Sequence, residues 1–248
     1  MRYSSRYRFA GDRSGSFPPG VQWLLIINIG LFVLYFLFAR TELGQLFRLF
    51  YLTPAAVVGH FAVWQLFTYM FLHAGIGHVL FNMLALWMFG ADLETTWGTK
   101  RFLTYYFICG VGAGICDVVV SAMFGSYGTS TIGSSGAIYG LLLAFGLMYP
   151  DRTVLMSFLF PIKAKYFVMI MGAIAFLSSL GSSGSGVSHV AHLGGMLCGY
   201  LYLRGGRVLQ FDFGRIHREY EAWKLRRARR KFQVYMKKHS SRRGPWVQ

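Results

Sequence analysis

Charge is what this chain has least of. Asp, Glu, Lys and Arg make up only 14% of its 248 residues, against about 25% in an ordinary soluble domain. Residues 118–150 and 166–203 carry no formal charge at all. With 54% apolar residues and a mean hydropathy of +0.43, this scarcity argues against a soluble enzyme and against a disordered chain. Cysteine is nearly absent too. Cys109, Cys116 and Cys198 each sit inside an apolar stretch, which excludes a secreted disulfide scaffold and leaves them as small hydrophobes. The first twenty residues lack the short apolar core of a signal peptide, and the apolar run that follows lacks a small-residue cleavage site. That run is therefore expected to stay as a membrane helix.

What charge there is lies at the ends. Residues 1–20 hold four Arg and one Asp, residues 204–248 hold fourteen Lys/Arg and three acids, and the stretch between them is nearly neutral. About 20 apolar residues cross a hydrocarbon core of about 30 Å. Residues 21–39 supply one such run and 74–91 a second. The long uncharged regions are each broken by a turn-forming cluster, Gly125 to Gly133 and Gly181 to Gly186, so they divide into hairpins, 101–124 with 135–149 and 166–180 with 189–203. Six spans result.

An even number of spans puts both termini on one side. Lys100, Arg101, Arg152, Lys163 and Lys165 fall on that side with the two basic tails, and only Arg40 and Arg48 stand against it. The positive-inside bias makes it cytoplasmic. The expectation is an all-α membrane protein with a basic N-terminal segment (1–20), a six-helix domain (21–203) and a basic cytoplasmic tail (204–248). Residues 40–73, polar and broken but rich in Phe, Leu, Trp and Tyr, suit either an interfacial element or an ordinary packed loop.

Polar side chains inside spans are costly and mark function by default. His78 and Asn82 open the second span, Ser135 the fourth, and His189 and His192 the sixth, so topology alone brings them to a common depth near the outer face. Ser135, in Gly133-Ser134-Ser135-Gly136, starts a helix whose free N–H groups and dipole favour a developing oxyanion. A capping turn would look the same. Gly195 and Gly199 on the sixth span, and Gly136 and Gly140 on the fourth, form small faces that permit close helix approach. If those faces meet, Ser135 and His192 come within hydrogen-bond reach, as base-assisted nucleophilic attack requires. His78 and Asn82, four residues apart, share one helical face and are either oxyanion donors or an interhelical clamp. The histidines have no acid beside them at ligand spacing, so neither a metal nor another cofactor is expected.

His78-x-x-x-Asn82, Gly133-x-Ser135-Gly136 and Ala191-His192-x-x-Gly195-x-x-x-Gly199, in this order and on these spans, resemble the rhomboid family of intramembrane serine proteases. The resemblance implies a six-transmembrane-helix rhomboid bundle. It implies Ser135 as nucleophile, His192 as general base with no acidic third member, and an oxyanion held by the Ser135 amide with His78 and Asn82. It also implies transmembrane protein substrates cut near the outer leaflet, entering laterally past the fifth and second spans, where Phe167, Ile170, Ile174, Leu86 and Trp87 are the expected facing residues. Bacterial members often carry Trp-Arg in the first loop; here Trp64 is followed by Gln65. Glu94 resembles a family acid that braces the bundle, and a snorkelling interfacial charge is its other reading. Asp117 is either a vestibule group or a hydrogen-bonded carboxyl.

The implied setting is a bacterial inner membrane. The basic, aromatic tail favours anionic lipid headgroups; nucleic acid is not expected, since no motif there specifies its readout. The alternative function is a non-catalytic, rhomboid-like factor that binds membrane proteins for quality control.

Overall fold

A computed structural model describes residues 17–125, 127–156, 160–180 and 188–205, with Lys224 and Arg227. Most of both basic tails and of the 181–188 loop expected above the site lies outside the described residues. The chain divides into two units, Met1–Arg204 and Gly205–Gln248. The first contains six principal helices: α1 (Pro19–Phe38), α2 (Ile76–Trp97), α3 (Thr99–Phe124), α4 (Ser135–Met148), α5 (Ala164–Ser179) and α6 (His189–Arg204).

Three of these, α1, α2 and α3, are long and apolar enough to cross a membrane; α4 and α5 are shorter apolar helices. On α1 only Gly20, Val21, Leu24 and Asn28 are buried, while Trp23, Ile26, Ile27, Ile29, Val33, Leu34, Phe36 and Leu37 are exposed. A helix that is apolar all round yet buried on one narrow strip has lipid, not water, as its solvent. Helix α4 is the opposite case. Nine of its fourteen residues, from Gly136 to Gly146, are buried, because it is packed against α2, α3, α5 and α6.

The second span runs further than its uncharged stretch, to Trp97. It passes through a widened π-turn at Leu86–Gly90 and carries Asp92 and Glu94 in its last turns. Glu94 is buried and does not snorkel. Its carboxyl accepts the backbone N–H groups of Gly20 (2.8 Å) and Val21 (2.7 Å) and the Thr99 hydroxyl (2.6 Å). It therefore satisfies the otherwise orphaned donors at the start of α1 while tying α1, α2 and α3 together. Glu94→Ala strips all three donors of their acceptor. It is expected to destabilise the bundle by about 2–3 kcal/mol, read as a lower unfolding midpoint in detergent, with Glu94→Gln losing less.

Residues 40–73 form a chain of short helical segments, including Pro54–His60 and Gln65–Thr68, with Phe61, Val63 and Trp64 exposed and Tyr69 and Met70 buried. Gln65, standing where Arg was expected, is itself an anchor. Its side chain accepts from the Thr53 N–H (3.0 Å) and donates to the Leu49 carbonyl (3.1 Å), which also accepts from Trp64 Nε1 (3.0 Å). The neutral amide closes the loop with one donor and one acceptor, where a guanidinium could only donate.

Between α4 and α5 the structure adds a two-stranded antiparallel ribbon, β1 (Thr153–Met156) and β2 (Phe160–Lys163), with Thr153 opposite Lys163. Next to it, Arg152 pairs with Asp92 at 2.8 Å and joins this connection to the end of α2.

Candidate active site

The polar residues at the starts of α2, α4 and α6 converge. The segment before α4 is stitched to the first loop by backbone bonds: Ala55 N–H to Tyr127 O (3.1 Å), Leu52 with Thr131 in both directions (3.0 and 2.8 Å), and Gly133 N–H to Tyr69 O (2.9 Å). Gly133 has φ +119°, and a Cβ there would lie 2.7 Å from the ring of His78. Only glycine permits both this conformation and this approach. Ser134, the residue that precedes α4, makes no capping bond with its side chain. Its hydroxyl faces His73 Nε2 at 3.4 Å instead, so the Ser134 side chain leaves the N–H groups of the first helical turn uncapped.

Ser135 and His192 are brought into contact: Ser135 Oγ and His192 Nε2 are hydrogen-bonded at 2.8 Å. His192 is buried and Ser135 partly exposed. Among the described residues, His192 Nδ1 has no hydrogen-bond partner. The imidazole is oriented by packing instead, stacked on Tyr139 with centroids 4.2 Å apart and planes at 6°, with His189 edge-on at 5.7 Å. Tyr139 was not singled out from the sequence. The signal was its place four residues after Ser135, one turn along the same face of α4.

Close approach of α4 and α6 makes this contact possible. A Cβ on Gly195 would fall within the Gly136 carbonyl group, and one on Gly140 would lie 3.2 Å from the Gly195 carbonyl oxygen. Gly199 turns elsewhere: a Cβ there would sit 3.2 Å from Cys109 Sγ of α3. The α4–α6 contact thus centres on Gly195 against the Gly136 backbone, while the tightest neighbours of a Cβ on Gly136 or Gly140 are Ala113 and Cys109 of α3, and Gly199 lets α6 lie on α3.

His78 and Asn82 lie beside Gly133, where a Cβ would be 2.7 Å from the His78 ring and 3.9 Å from Asn82 Nδ2. His78 Nδ1 accepts the Ala74 N–H (3.3 Å), which in a neutral ring leaves the proton on Nε2, on the edge of the ring that faces Gly133. Asn82 Nδ2 spends one hydrogen on the His78 carbonyl (2.9 Å) and keeps the other free to donate. His73, buried behind them and edge-on to His78 at 5.1 Å, is kept neutral. Burial, reinforced by His78, pushes its pKa down to about 3. Among the described residues, no group of three or more His, Cys, Asp or Glu side chains is arranged to hold a metal. Of the residues expected to face the point of entry, Leu86 is fully buried in the core, on the same helical stripe as the buried Val79, Asn82 and Met83. Phe89 is the α2 residue that meets α5, its ring stacked on Phe167 at 5.8 Å.

Fold and site together define a helical membrane protein that holds a serine–histidine pair between two glycine-packed helices. The family model for the rhomboid domain matches residues 60–206. The chain belongs to the rhomboid family. It is 36% identical over 137 residues to rhomboid protease GluP of Bacillus subtilis, covering 55% of this chain and 25% of that one. It is 36% identical over 153 residues to RHOMBOID-like protein 1 of Arabidopsis thaliana, covering 60% and 36%. With the mitochondrial rhomboid protein 1 of Saccharomyces cerevisiae it shares 30% over 135 residues, 53% and 38%. The chain thus spans between a quarter and two fifths of the length of these curated relatives.

Proposed function

We propose that this protein is an intramembrane serine endopeptidase that cleaves single-span membrane proteins near the outer leaflet. The observation that carries this reading is the 2.8 Å hydrogen bond between Ser135 Oγ and His192 Nε2. In the reaction, Ser135 Oγ attacks the scissile carbonyl carbon as its proton passes to His192 Nε2. The resulting oxyanion lies at the start of α4, where the Ser135 N–H, His78 Nε2–H and the free Asn82 amide hydrogen stabilise it. His192 returns the proton to the leaving amine, and the acyl-enzyme forms. Water, deprotonated by the same imidazole, then releases the acid and restores Ser135. Stacking on Tyr139 does for the ring what a carboxylate does in a triad: it fixes its orientation.

At 1.5 Å per residue, the fourteen residues of α4 span about 21 Å, less than a hydrocarbon core of about 30 Å. If the opposite end of α4 lies at the cytoplasmic surface, Ser135 is recessed below the outer surface, and its partial exposure gives water a route to it. Six spans with both termini cytoplasmic, in a bacterial inner membrane, complete the reading, with anionic lipid at the basic tail. The alternative, a binding factor without catalysis, gives the Ser135–His192 contact no role.

The deciding experiment is co-expression with a panel of tagged single-span proteins. Proteolysis requires a fragment that appears with the wild type and vanishes with Ser135→Ala. Capture of full-length partners by both, without fragments, establishes the binding factor instead.

A further inference from the structure

Between Arg101 and Asp151 the sequence contains one charged residue, Asp117. It lies in α3, 5% exposed, where an acid without hydrogen-bond donors would be prohibitively costly. Its described neighbours are hydroxyls. Asp117 Oδ1 accepts from Ser188 Oγ, and the Thr131 side chain lies near the same carboxyl. Neither neighbour is incidental to the site. Ser188 immediately precedes α6. Its Oγ accepts the Ala191 N–H (3.0 Å), and its carbonyl accepts the His192 N–H (3.4 Å), the pattern of a helix N-cap. Thr131 is bonded through both backbone groups to Leu52 and starts the turn that ends at Ser135. One carboxyl therefore holds the segment four residues before His192 and adjoins the one four residues before Ser135.

We propose that Asp117 is the positioning residue of the serine–histidine pair. It fastens the N-cap of α6 to α3, beside the segment leading into α4, so that nucleophile and base keep hydrogen-bond distance although they belong to different helices. The proposal rests on the protease reading for its catalytic consequence. Its structural half, the fastening of α6, stands apart. Helix packing through Gly195 sets how close α4 and α6 lie; the Asp117 link resists rotation and fraying at the end of α6, where packing glycines exert no control. A displacement of about 1 Å at a reacting pair costs on the order of 10²-fold in rate, so a small relaxation here is sufficient to be seen.

The test uses the full chain in detergent, with a fluorophosphonate as probe of nucleophile reactivity and amide hydrogen exchange as probe of the α6 end. Asp117→Val is expected to lower the labelling rate about 10²-fold and to speed exchange of the Ala191 and His192 amides. Asp117→Asn, which keeps an oxygen for Ser188, is expected to recover most of both. Should Asp117→Val not fold, Asp117→Ser, whose short side chain keeps a polar group but does not reach Ser188, is combined with Ser188→Ala: because each change removes the same bond, their effects on labelling are expected to be non-additive. Wild-type labelling with unchanged exchange in Asp117→Val, or additive effects in the pair, overturns the proposal. A wild type that never labels sinks the protease reading instead, and the exchange measurements then decide the fastening alone.

Discussion

Ser135→Ala is expected to abolish covalent labelling by a fluorophosphonate, and His192→Ala to reduce it to a trace, while both variants keep the wild-type helical content. The two side chains act as one unit, since the hydroxyl becomes nucleophilic only as the imidazole removes its proton. Loss of either is therefore expected to cost about 10⁴- to 10⁶-fold in turnover, and loss of both no more than loss of one. Asn82→Ala behaves differently. It leaves the nucleophile and base intact and removes one donor to the oxyanion, so labelling persists while turnover falls by up to about 10²- to 10³-fold. Turnover equal to wild type in Asn82→Ala would reduce that amide to a clamp on the His78 carbonyl. Labelling that survives Ser135→Ala would remove the nucleophile assigned here, and Ser134, buried against His73, would be the next serine to examine.

The second large effect is expected at Gly195. An added methyl has no room, because it would fall within the Gly136 carbonyl group, which is backbone and cannot rotate away. Helices α4 and α6 must separate, and Gly136 and Gly195 lie one and three residues from Ser135 and His192. Gly195→Ala is expected to lower stability by about 1–3 kcal/mol and labelling by about 10²-fold. Gly30→Ala is the matched control. On α1 a Cβ at Gly30 meets nothing within 4 Å, so the substitution should leave labelling unchanged and stabilise slightly through helix propensity. Unfolding in detergent, with labelling measured on the folded fraction, separates the two outcomes. A Gly195→Ala protein as stable and reactive as wild type would mean that the α4–α6 contact is not under the constraint described.

Several parts of this arrangement were legible residue by residue. Uncharged runs located the helices within a few residues, because lipid admits few charges along a span and a loop needs the glycine and serine that break one. The glycine spacing on the fourth and sixth spans pointed to a close helix pair; in the structure Gly195 lies against the Gly136 backbone, whereas Gly199 packs on α3. Other features were not legible. The second span extends through Asp92 and Glu94 because those acids find partners in Arg152 and the start of α1, partners far away in the chain. Leu86 was expected at an opening and is in the core, on the same stripe as Val79, Asn82 and Met83, because which stripe of α2 meets the bundle is decided by the helices packed on it. Gln65 proved a full anchor in place of Arg because Thr53 and Leu49 happen to offer a donor and an acceptor at the right distance.

The division follows from the range of the forces involved. Hydropathy, turn chemistry and helix periodicity act over a few residues, so the sequence by itself determined that the chain is a helical membrane protein and which polar groups begin which helices. Whether Ser135 meets His192, that Tyr139 stacks on the imidazole, and that Asp117 holds the start of α6 depend on contacts between segments more than 50 residues apart. Only the packed bundle, in which steric fit fixes helix separation and rotation together, decides those.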